Sequence, residues 1–284
     1  MRPDLPGLLS CAECGHSWAD TGLSDDDLRL LYARGYYEGE EYADYALEAP
    51  ALTRNFRPRF HELAARHPKG ALLYEIGCAY GFFLHTASPH FRVAGCDISA
   101  HAVAQARERF GVDATAGDYL GIPMSDPPAA ICLWDTVEHL ARPDLYLEKV
   151  HADLAPGGSL CLSTGDRGAL VPRLMGRHWR LIHPPTHLHY FTAGSMRRLL
   201  ERIGFTQIQI RHPAFWRSAD AVAFRLLAWP PDRRLAAAYR VLKRAGLLSF
   251  AFPMNTGDLM VASAEKPGEA SPAVPPRGEA IRPN

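Results

Sequence analysis

The strongest chemical signal in this sequence is a glycine-containing segment that opens on an acidic residue. It runs from Glu75 to Gly81 (EIGCAYG), directly after a short apolar stretch and directly before a predicted helix. At the carboxyl end of a buried strand, glycine lets the backbone turn sharply and approach a ligand. Ligands of open parallel sheets bind in that crevice. The segment therefore predicts a binding site with Gly77 and Gly81 in its turn.

Two further acidic residues stand at the ends of the next two expected strands. Asp97 follows Gly77 by twenty positions, where a carboxylate can accept hydrogen bonds from both hydroxyls of a ribose. Asp118 and Tyr119 lie where a third strand would end, and they offer a carboxylate and a ring to an adenine. This series across successive strand ends predicts an S-adenosylmethionine site rather than a plain strand-to-helix turn.

A nicotinamide-dependent oxidoreductase would use the same crevice with a different glycine pattern. Its fingerprint is G-x-G-x-x-G, whereas the segment here has glycine only at positions 77 and 81. The pattern fails at two points, so this class is the weaker alternative.

The elements that must position these residues alternate between short apolar runs and amphipathic stretches. Strands are predicted at 71–77, 91–98, 129–135, 158–164, 205–211 and 257–266, and helices at 81–88, 100–110, 143–154 and 192–203. Continuous apolar strands separated by helices are typical of a parallel sheet that is covered on both faces. The predicted fold class is therefore α/β.

The domain organisation follows from composition along the chain. Residues 1–20 are predicted to be a remnant cysteine knuckle or an N-terminal extension, and residues 21–68 N-terminal helices that act as a lid. The main domain is expected at 69–266 with a helical insert at 216–250, which is broken at its Pro-Pro pair. The tail 267–284, rich in Pro, Gly, Ala and Glu, is predicted to be disordered.

The overall composition excludes several classes of protein. The 284 residues carry 31 Lys and Arg against 31 Asp and Glu, whereas a dedicated nucleic-acid binder usually has a basic excess. No apolar run is long enough for a transmembrane helix, and no secretory signal is visible. Four cysteines lie in apolar runs, as buried thiols of a reducing compartment would; they are Cys78, Cys96, Cys132 and Cys161. We expect a cytoplasmic protein that binds no nucleic acid.

The segment EIGCAYG resembles the first motif of the class I S-adenosylmethionine-dependent methyltransferases, an acidic residue followed by G-x-G-x-G, with Ala79 at the middle glycine. Residues 131–140 (ICLWDTVEHL) and 154–160 (LAPGGSL) match later motifs. The stretch 176–192 (GRHWRLIHPPTHLHYFT) is similar to the branch that includes ubiquinone-biosynthesis O-methyltransferases and zinc-ribbon sugar methyltransferases. The resemblance covers roughly residues 50–265 and implies a Rossmann-like sheet of seven strands.

The resemblance also implies roles for the matching residues. The expected cofactor-binding residues are Arg57, Glu75, Gly77, Cys78, Gly81, Asp97, Ile98, Asp118, Tyr119, Trp134 and Asp135. Asp97 would hold the ribose, and Trp134 and Asp135 would border the transferred methyl group. Arg57 would meet the cofactor carboxylate, with the nearby Arg54 as an alternative.

A hydroxyl acceptor usually needs its proton removed as the methyl bond forms. His183, His187 and His189 lie in a segment expected at the carboxyl edge of the sheet, and imidazole titrates near neutrality. The sequence favours His187 as the general base, then His189. The alternative is that these histidines bond backbone carbonyls and order the loop beside Trp179.

Two groups of potential metal ligands stand out, and we expect neither to bind a metal. In quinone O-methyltransferases that resemble this chain, a motif like Asp135-x-x-Glu138-His139 is associated with a divalent metal, although metal-free relatives carry it as well. Cys11 and Cys14 form one knuckle, whereas structural zinc needs four ligands.

Two regions are candidates for covering the acceptor. Tyr36, Tyr37, Tyr42 and Tyr45 form either a lid or ordinary aromatic packing. The insert at 216–250 mixes apolar and basic residues. It would cover an apolar acceptor, contact a membrane surface peripherally or present a solvated basic face.

These inferences predict methyl transfer from S-adenosylmethionine to a small-molecule acceptor. The favoured acceptor atom is a hydroxyl oxygen of a phenol, a quinol or a sugar. A protein that binds S-adenosylmethionine without catalysing a reaction remains the main alternative, and the sequence leaves the oligomeric state open.

Overall fold

The computed structural model of this protein describes residues 2–5, 7–22, 49–224, 227 and 233–268. Its strands are β1 (Arg2–Leu5), β2 (Leu8–Ser10), β3 (Ser17–Ala19), β4 (Leu72–Ile76), β5 (Arg92–Asp97), β6 (Asp113–Ala116), β7 (Ala130–Trp134), β8 (Ser159–Gly165), β9 (His189–Tyr190), β10 (Thr206–Arg211), β11 (Phe215–Ser218), β12 (Ala251–Met254) and β13 (Leu259–Glu265). Its helices are α1 (Ala49–Arg66), α2 (Phe82–Ala87), α3 (Ala100–Phe110), α4 (Pro143–Asp153), α5 (Leu170–Met175), α6 (Ala193–Ile203), α7 (Ala219–Ala223) and α8 (Arg233–Arg244).

The central sheet has seven strands in the order β10-β13-β8-β7-β4-β5-β6. Strands β4 to β8 are parallel, and β13 runs antiparallel to both β8 and β10. The chain places β5 and β6 on one side of β4 and then β7 and β8 on the other. The order therefore reverses between β4 and β7, which is where ligands of open α/β sheets bind. The predicted seven-stranded α/β fold is confirmed.

Helices cover both faces of this sheet. Residues of α1, α2 and α3, including Phe56, Phe83 and Val103, pack in one buried cluster. Residues of α4 and α6, including Leu147 and Leu200, pack in a second one. All residues of β4, β7 and β8 are buried, which explains the nearly continuous apolar sequence of β4 and β7. The six strands and four helices that the sequence predicts between residues 71 and 266 are all present, and their ends lie within two residues of the expected bounds.

Two regions differ from the prediction. Strands β1, β2 and β3 form a small sheet with β9, so the first residues are a β-ribbon packed on the main domain. The insert is also not purely helical, because β11 and β12 pair antiparallel at its two ends and enclose α7 and α8. The sequence signal for these strands is weak because each has only two to four residues.

Several predictions concern features that the structure covers only in part. Cys78, Cys96, Cys132 and Cys161 are free and buried, as expected. The tyrosines of the expected lid and residues 269–284 of the tail lie outside the described residues. No helix within the described ranges has both the length and the apolar character needed to cross a membrane.

Candidate active site

The turn after β4 is tight because its backbone is bonded to the next strand. The amides of Gly77 and Cys78 both donate to the carbonyl of Cys96, at 2.8 and 3.0 Å. A Cβ on Gly77, where φ is +74°, would lie 2.5 Å from Oγ1 of Thr136, so this position requires glycine. Ala79 has a φ of +46°, a left-handed conformation that is uncommon for residues with a Cβ. The turn thus keeps its glycine-type geometry at the position where Ala79 replaces a glycine.

Asp97 joins this turn to the start of the next helix. Its Oδ2 accepts a hydrogen bond from the amide of Ala79 at 2.9 Å, and its Oδ1 accepts one from the amide of Ser99 at 2.9 Å. A carboxylate can accept about four hydrogen bonds. Asp97 is therefore able to bind ligand hydroxyls while it holds the turn.

A cavity of about 320 Å³ opens beside this turn. Its walls come from the carboxyl ends of the parallel strands, from α1, from residues 139–146 and from β11. Seven of the expected cofactor-binding residues line it: Gly77, Asp97, Ile98, Asp118, Tyr119, Trp134 and Asp135. The structure brings these seven together at one edge of the sheet.

One half of the cavity, here called the adenosine half, has an apolar lining with polar groups at its end. Ile98, Leu120 and Leu145 line it and are 44%, 39% and 38% exposed. Asp118 also lines it, and its carboxylate accepts a hydrogen bond from the hydroxyl of Tyr146. A flat apolar ligand that covers these side chains removes apolar surface from water, which favours binding. An adenine ring has that shape.

Three expected cofactor-binding residues stand behind the turn rather than on the cavity wall. Burial, followed by the charge of Asp97, raises the pKa of Glu75 well above its usual value, and the amide of Leu84 donates to this carboxyl group. Cys78 packs in the apolar core. A Cβ on Gly81 would lie 3.0 Å from the Cβ of Ala106, so this glycine allows close packing of α2 against α3.

The expected arginine is also displaced. Arg57 is exposed on α1 and does not line the cavity, whereas Arg59 does. The guanidinium of Arg59 lies 4.5 Å from the ring centroid of Trp134 and 5.0 Å from that of Phe215. Burial lowers its pKa. In the part of the chain that the structure describes, no hydrogen bond or ion pair involves Arg59.

Helical geometry explains this displacement. Residues three and four positions apart share a face of a helix, and Leu52, Asn55, Phe56 and Arg59 all line the cavity from α1. Position 57 has neither this three- nor this four-residue spacing from positions 52, 55 and 59, so its side chain lies on another face of α1. The four-residue pattern was visible in the sequence, so Arg59 was predictable.

The two histidines expected as general bases do not line the cavity. His187 is buried, its Nδ1 bonds the carbonyl of Leu181 at 2.9 Å, and burial lowers its pKa. His189 belongs to β9, and its Nδ1 bonds Nε2 of His16 in the ribbon at 2.9 Å. The hydroxyl of Tyr190 donates to the carbonyl of His187. The alternative interpretation of this segment, in which histidines order the loop, agrees with these contacts.

His139 is the histidine that lines the cavity. Its Nδ1 lies 2.8 Å from the carbonyl oxygen of Thr186, and a carbonyl only accepts, so Nδ1 carries the proton. The backbone of Asp135 also contacts the ring, and Nε2 is the nitrogen that has the lone pair. Burial lowers the pKa of His139 to about 4, which keeps the ring neutral near pH 7. From sequence, His139 stands out as a potential metal ligand or as a residue that orients the following helix, not as a base.

The potential metal ligands are arranged differently from the motif. Asp135 accepts a hydrogen bond from the hydroxyl of Ser163 at 2.8 Å. Among the described residues, ligand atoms of Glu138, His139 and His187 lie within 4.8 Å of one another, without Asp135. Cys11 belongs to no such group in the described ranges. The expectation that no metal binds therefore stays a prediction, with this trio as the place to test it.

Comparison with solved structures shows the fold. The chain is 14% identical to an S-adenosylmethionine-dependent methyltransferase from Archaeoglobus fulgidus, with a TM-score of 0.53 over 78% of this chain and 100% of that one. It is 14% identical to a phosphoethanolamine N-methyltransferase 2 from Haemonchus contortus in complex with phosphomonomethylethanolamine and S-adenosylhomocysteine, with a TM-score of 0.51 over 82% and 60%. It is 20% identical to the [4+2]-cyclase SpnF, with a TM-score of 0.50 over 75% and 82%.

Comparison with protein families gives the assignment. No curated protein matches the chain. A family described as "Methyltransferase domain" matches residues 48–210, which include α1, the glycine turn and the ends of all five parallel strands. This match agrees with the cofactor expected from the sequence, S-adenosylmethionine. The chain therefore belongs to the methyltransferase-domain family.

Proposed function

We propose that this protein transfers the methyl group of S-adenosylmethionine to a hydroxyl oxygen of a small-molecule acceptor. The observation that carries the proposal is the cavity itself, which is lined both by Asp97 beside the glycine turn and by the neutral His139. The carboxylate and the turn suit an adenosine. The histidine offers a group that can take a proton.

The residues present fit the cofactor. Asp97 would accept hydrogen bonds from the ribose hydroxyls, and the apolar slot of the adenosine half would cover the adenine. Arg59, rather than Arg57, would pair with the cofactor carboxylate, since it reaches the cavity and forms no ion pair within 4 Å among the described residues, although the charges of Asp135 and Glu75 act on it. Nε1 of Trp134, which lines the cavity, is buried and has no hydrogen-bond partner in the described ranges, so it is a donor for a carboxylate.

When bound, the cofactor supplies a methyl group on a sulfonium, which is electrophilic without further activation. The protein's task is then to align the acceptor, exclude water and remove one proton. Trp134, Phe56 and Phe215 provide apolar walls. His139 accepts the hydroxyl proton on Nε2 as the new bond forms, while the carbonyl of Thr186 holds its other nitrogen.

The aromatic walls support a phenol or quinol over a sugar, because flat aromatic acceptors pack on such rings. This preference agrees with the resemblance to the ubiquinone-biosynthesis branch. A cytoplasmic location fits a small-molecule acceptor of this kind. The main alternative is a protein that binds the cofactor without methyl transfer, and the [4+2]-cyclase of similar fold is a precedent for a different reaction on this scaffold.

Calorimetric titration of the cofactor-stripped protein with S-adenosylhomocysteine, with NADH in parallel, tests the proposal. We expect micromolar binding of S-adenosylhomocysteine and no binding of NADH, because the glycine turn lacks the dinucleotide pattern. An acceptor screen of phenols and sugar nucleotides would follow. Binding of NADH alone would contradict the proposal, and cofactor binding without turnover on any acceptor would favour the alternative.

A further inference from the structure

A second arginine, Arg217, also lines the cavity. The part of the cavity that is lined by Phe56, Arg59, Phe215 and Arg217 is here called the acceptor half. It belongs to β11, and its guanidinium lies 6.0 Å from the ring centroid of Phe215. Arg59 approaches the same ring at 5.0 Å. In the described part of the chain, Arg217 has no ion pair and its side chain makes no hydrogen bond.

The position of Arg217 is fixed by contacts on either side of it. Asn55 of α1 accepts a hydrogen bond from the amide of Trp216 at 2.7 Å and donates one to the carbonyl of Trp216 at 3.1 Å. The guanidinium of Arg54 lies 4.7 Å from the Trp216 ring centroid. On the other edge, Arg217 pairs with Phe252 in the β11–β12 ladder. The strand that carries Arg217 is therefore held against the cavity.

Several other arginines in the described ranges are paired with carboxylates. Arg142, at the rim of the same cavity, bonds Asp144 through two nitrogens. Arg180 pairs with Asp258, and Arg211 pairs with Glu62. Arg217 differs from these residues because it presents its charge to the cavity.

The cofactor brings one carboxylate to this region, and Arg59 is the better placed partner because it lies over Trp134 at the end of β7. Arg217 is then left for the acceptor. A planar guanidinium forms two parallel hydrogen bonds with a planar carboxylate. A phosphate dianion would call for a second cation, and the proposed function already commits Arg59 to the cofactor.

We propose that the acceptor is an aromatic carboxylic acid and that Arg217 binds its carboxylate. This inference rests on the proposed function, since it requires the other arginine to hold the cofactor. The ring of the acceptor packs among the aromatic walls, and the hydroxyl faces His139. Arg217 thus determines specificity for an acidic acceptor.

A matched pair of probes tests this assignment: 3-hydroxybenzoate and its uncharged analogue 3-hydroxybenzamide. Each is titrated calorimetrically into the protein saturated with S-adenosylhomocysteine. We expect 3-hydroxybenzoate to bind at least about tenfold more tightly, because a charge-assisted bidentate bond contributes more than a neutral one. Arg217→Gln should abolish this preference, and Arg217→Lys, which keeps the charge, should retain part of it.

Arg240→Gln is the matched control, because Arg240 is an exposed arginine of the same insert that does not line the cavity. This variant should keep the full preference. Equal binding of the two probes, binding of neither, or a preference that survives in Arg217→Gln would overturn the inference. Binding of S-adenosylhomocysteine to each protein is measured first, and its absence from the wild type would instead contradict the proposed function.

Discussion

The two halves of the cavity are built in different ways. The adenosine half consists of residues at successive strand ends, and its central carboxylate, Asp97, bonds backbone amides on both sides. The acceptor half is assembled from a helix, a turn and a hairpin, and Asn55 and Trp216, which join two of these elements, are 161 residues apart. The register of the sheet fixes the first half, whereas packing between separate elements fixes the second.

This difference has a functional consequence. Moving a strand-end residue would disturb the sheet itself, because parallel pairing holds β4 between β5 and β7. The acceptor half lies outside the parallel ladder, since Asn55 bonds the backbone of Trp216 and the other side chains meet through ring and cation contacts. A family can therefore keep one cofactor site and change its acceptors by altering the insert.

The largest effect that distinguishes the halves is expected at His139. His139→Gln removes the proton acceptor and leaves the adenosine half untouched, so turnover should fall about 100-fold or more while S-adenosylhomocysteine affinity stays unchanged. Steady-state kinetics on an identified acceptor and calorimetry measure the two quantities separately. A parallel fall in both would mean that His139 supports the whole cavity.

Two controls bear on this assignment. His61→Gln changes an exposed histidine of α1 outside the cavity and should leave turnover unchanged. Dialysis against a strong chelator should also leave turnover unchanged, because a neutral imidazole acts without a metal. Loss of activity that Mg²⁺ restores would show instead that the trio of Glu138, His139 and His187 holds a metal.

A smaller effect is expected for the central residue of the adenosine half. Asp97→Asn removes a charge from the hydrogen bonds to the ribose, which are worth roughly 1.5–3 kcal/mol when the acceptor is charged. Affinity for S-adenosylhomocysteine should then fall about 10- to 100-fold. Asp113→Asn, an exposed residue at the opposite end of a neighbouring strand, is the control. If Asp97→Asn binds S-adenosylhomocysteine as tightly as the wild type, Asp97 does not bind the ribose hydroxyls.

Arg59 and Arg57 of α1 provide a matched comparison, since one lines the cavity and the other does not. Arg59→Gln should weaken S-adenosylhomocysteine binding about tenfold, because it removes one charge-assisted bond to the cofactor carboxylate. Arg57→Gln should have no effect, since Arg57 is exposed outside the cavity. Weaker binding in Arg57→Gln and unchanged binding in Arg59→Gln would instead assign the cofactor carboxylate to Arg57, as the family resemblance implies.

The same contrast determines how much the sequence could predict. The sheet and its strand-end residues were predictable, because a buried parallel strand has a continuous apolar sequence and its end has a fixed place in the fold. Arg59 could have been placed on the cavity face of α1, because it lies seven residues after Leu52 and therefore on the same side of the helix. Arg217 was not, because no local pattern shows that β11 packs against α1.

His187 and His189 show the opposite error, because they were expected at the cavity and do not line it. The residue types of their segment favour general-base chemistry, and its place after β8 points to the cavity edge. The ribbon changes this outcome, because Ser17 and Trp18 pair with Tyr190 and His189 and bury the segment. A three-residue strand gives too short a pattern to predict that pairing, so the segment expected to open on the cavity packs against the ribbon instead.

The last prediction concerns the stability of the folded protein rather than binding or turnover. Burial, followed by the charge of Asp135, raises the pKa of Glu138 to about 8, from a usual value of 4.5. Between these values the folded protein holds a proton that the unfolded chain has released. The contribution of Glu138 to stability is therefore fully present below about pH 4.5 and is lost as the pH rises towards 8.

Glu138→Gln removes this proton exchange and should be relatively more stable than the wild type at pH 8 than at pH 5.5. Thermal unfolding of both proteins across this range measures the difference. The nearby histidines, whose pKa values are lowered by burial, act in the opposite direction at low pH but cancel in the comparison of the two proteins. Glu148→Gln, an exposed control on α4, should follow the wild type at every pH. If Glu138→Gln also runs parallel to the wild type, Glu138 is ionised in the folded protein, and a cation beside the acceptor half becomes the better explanation of its burial.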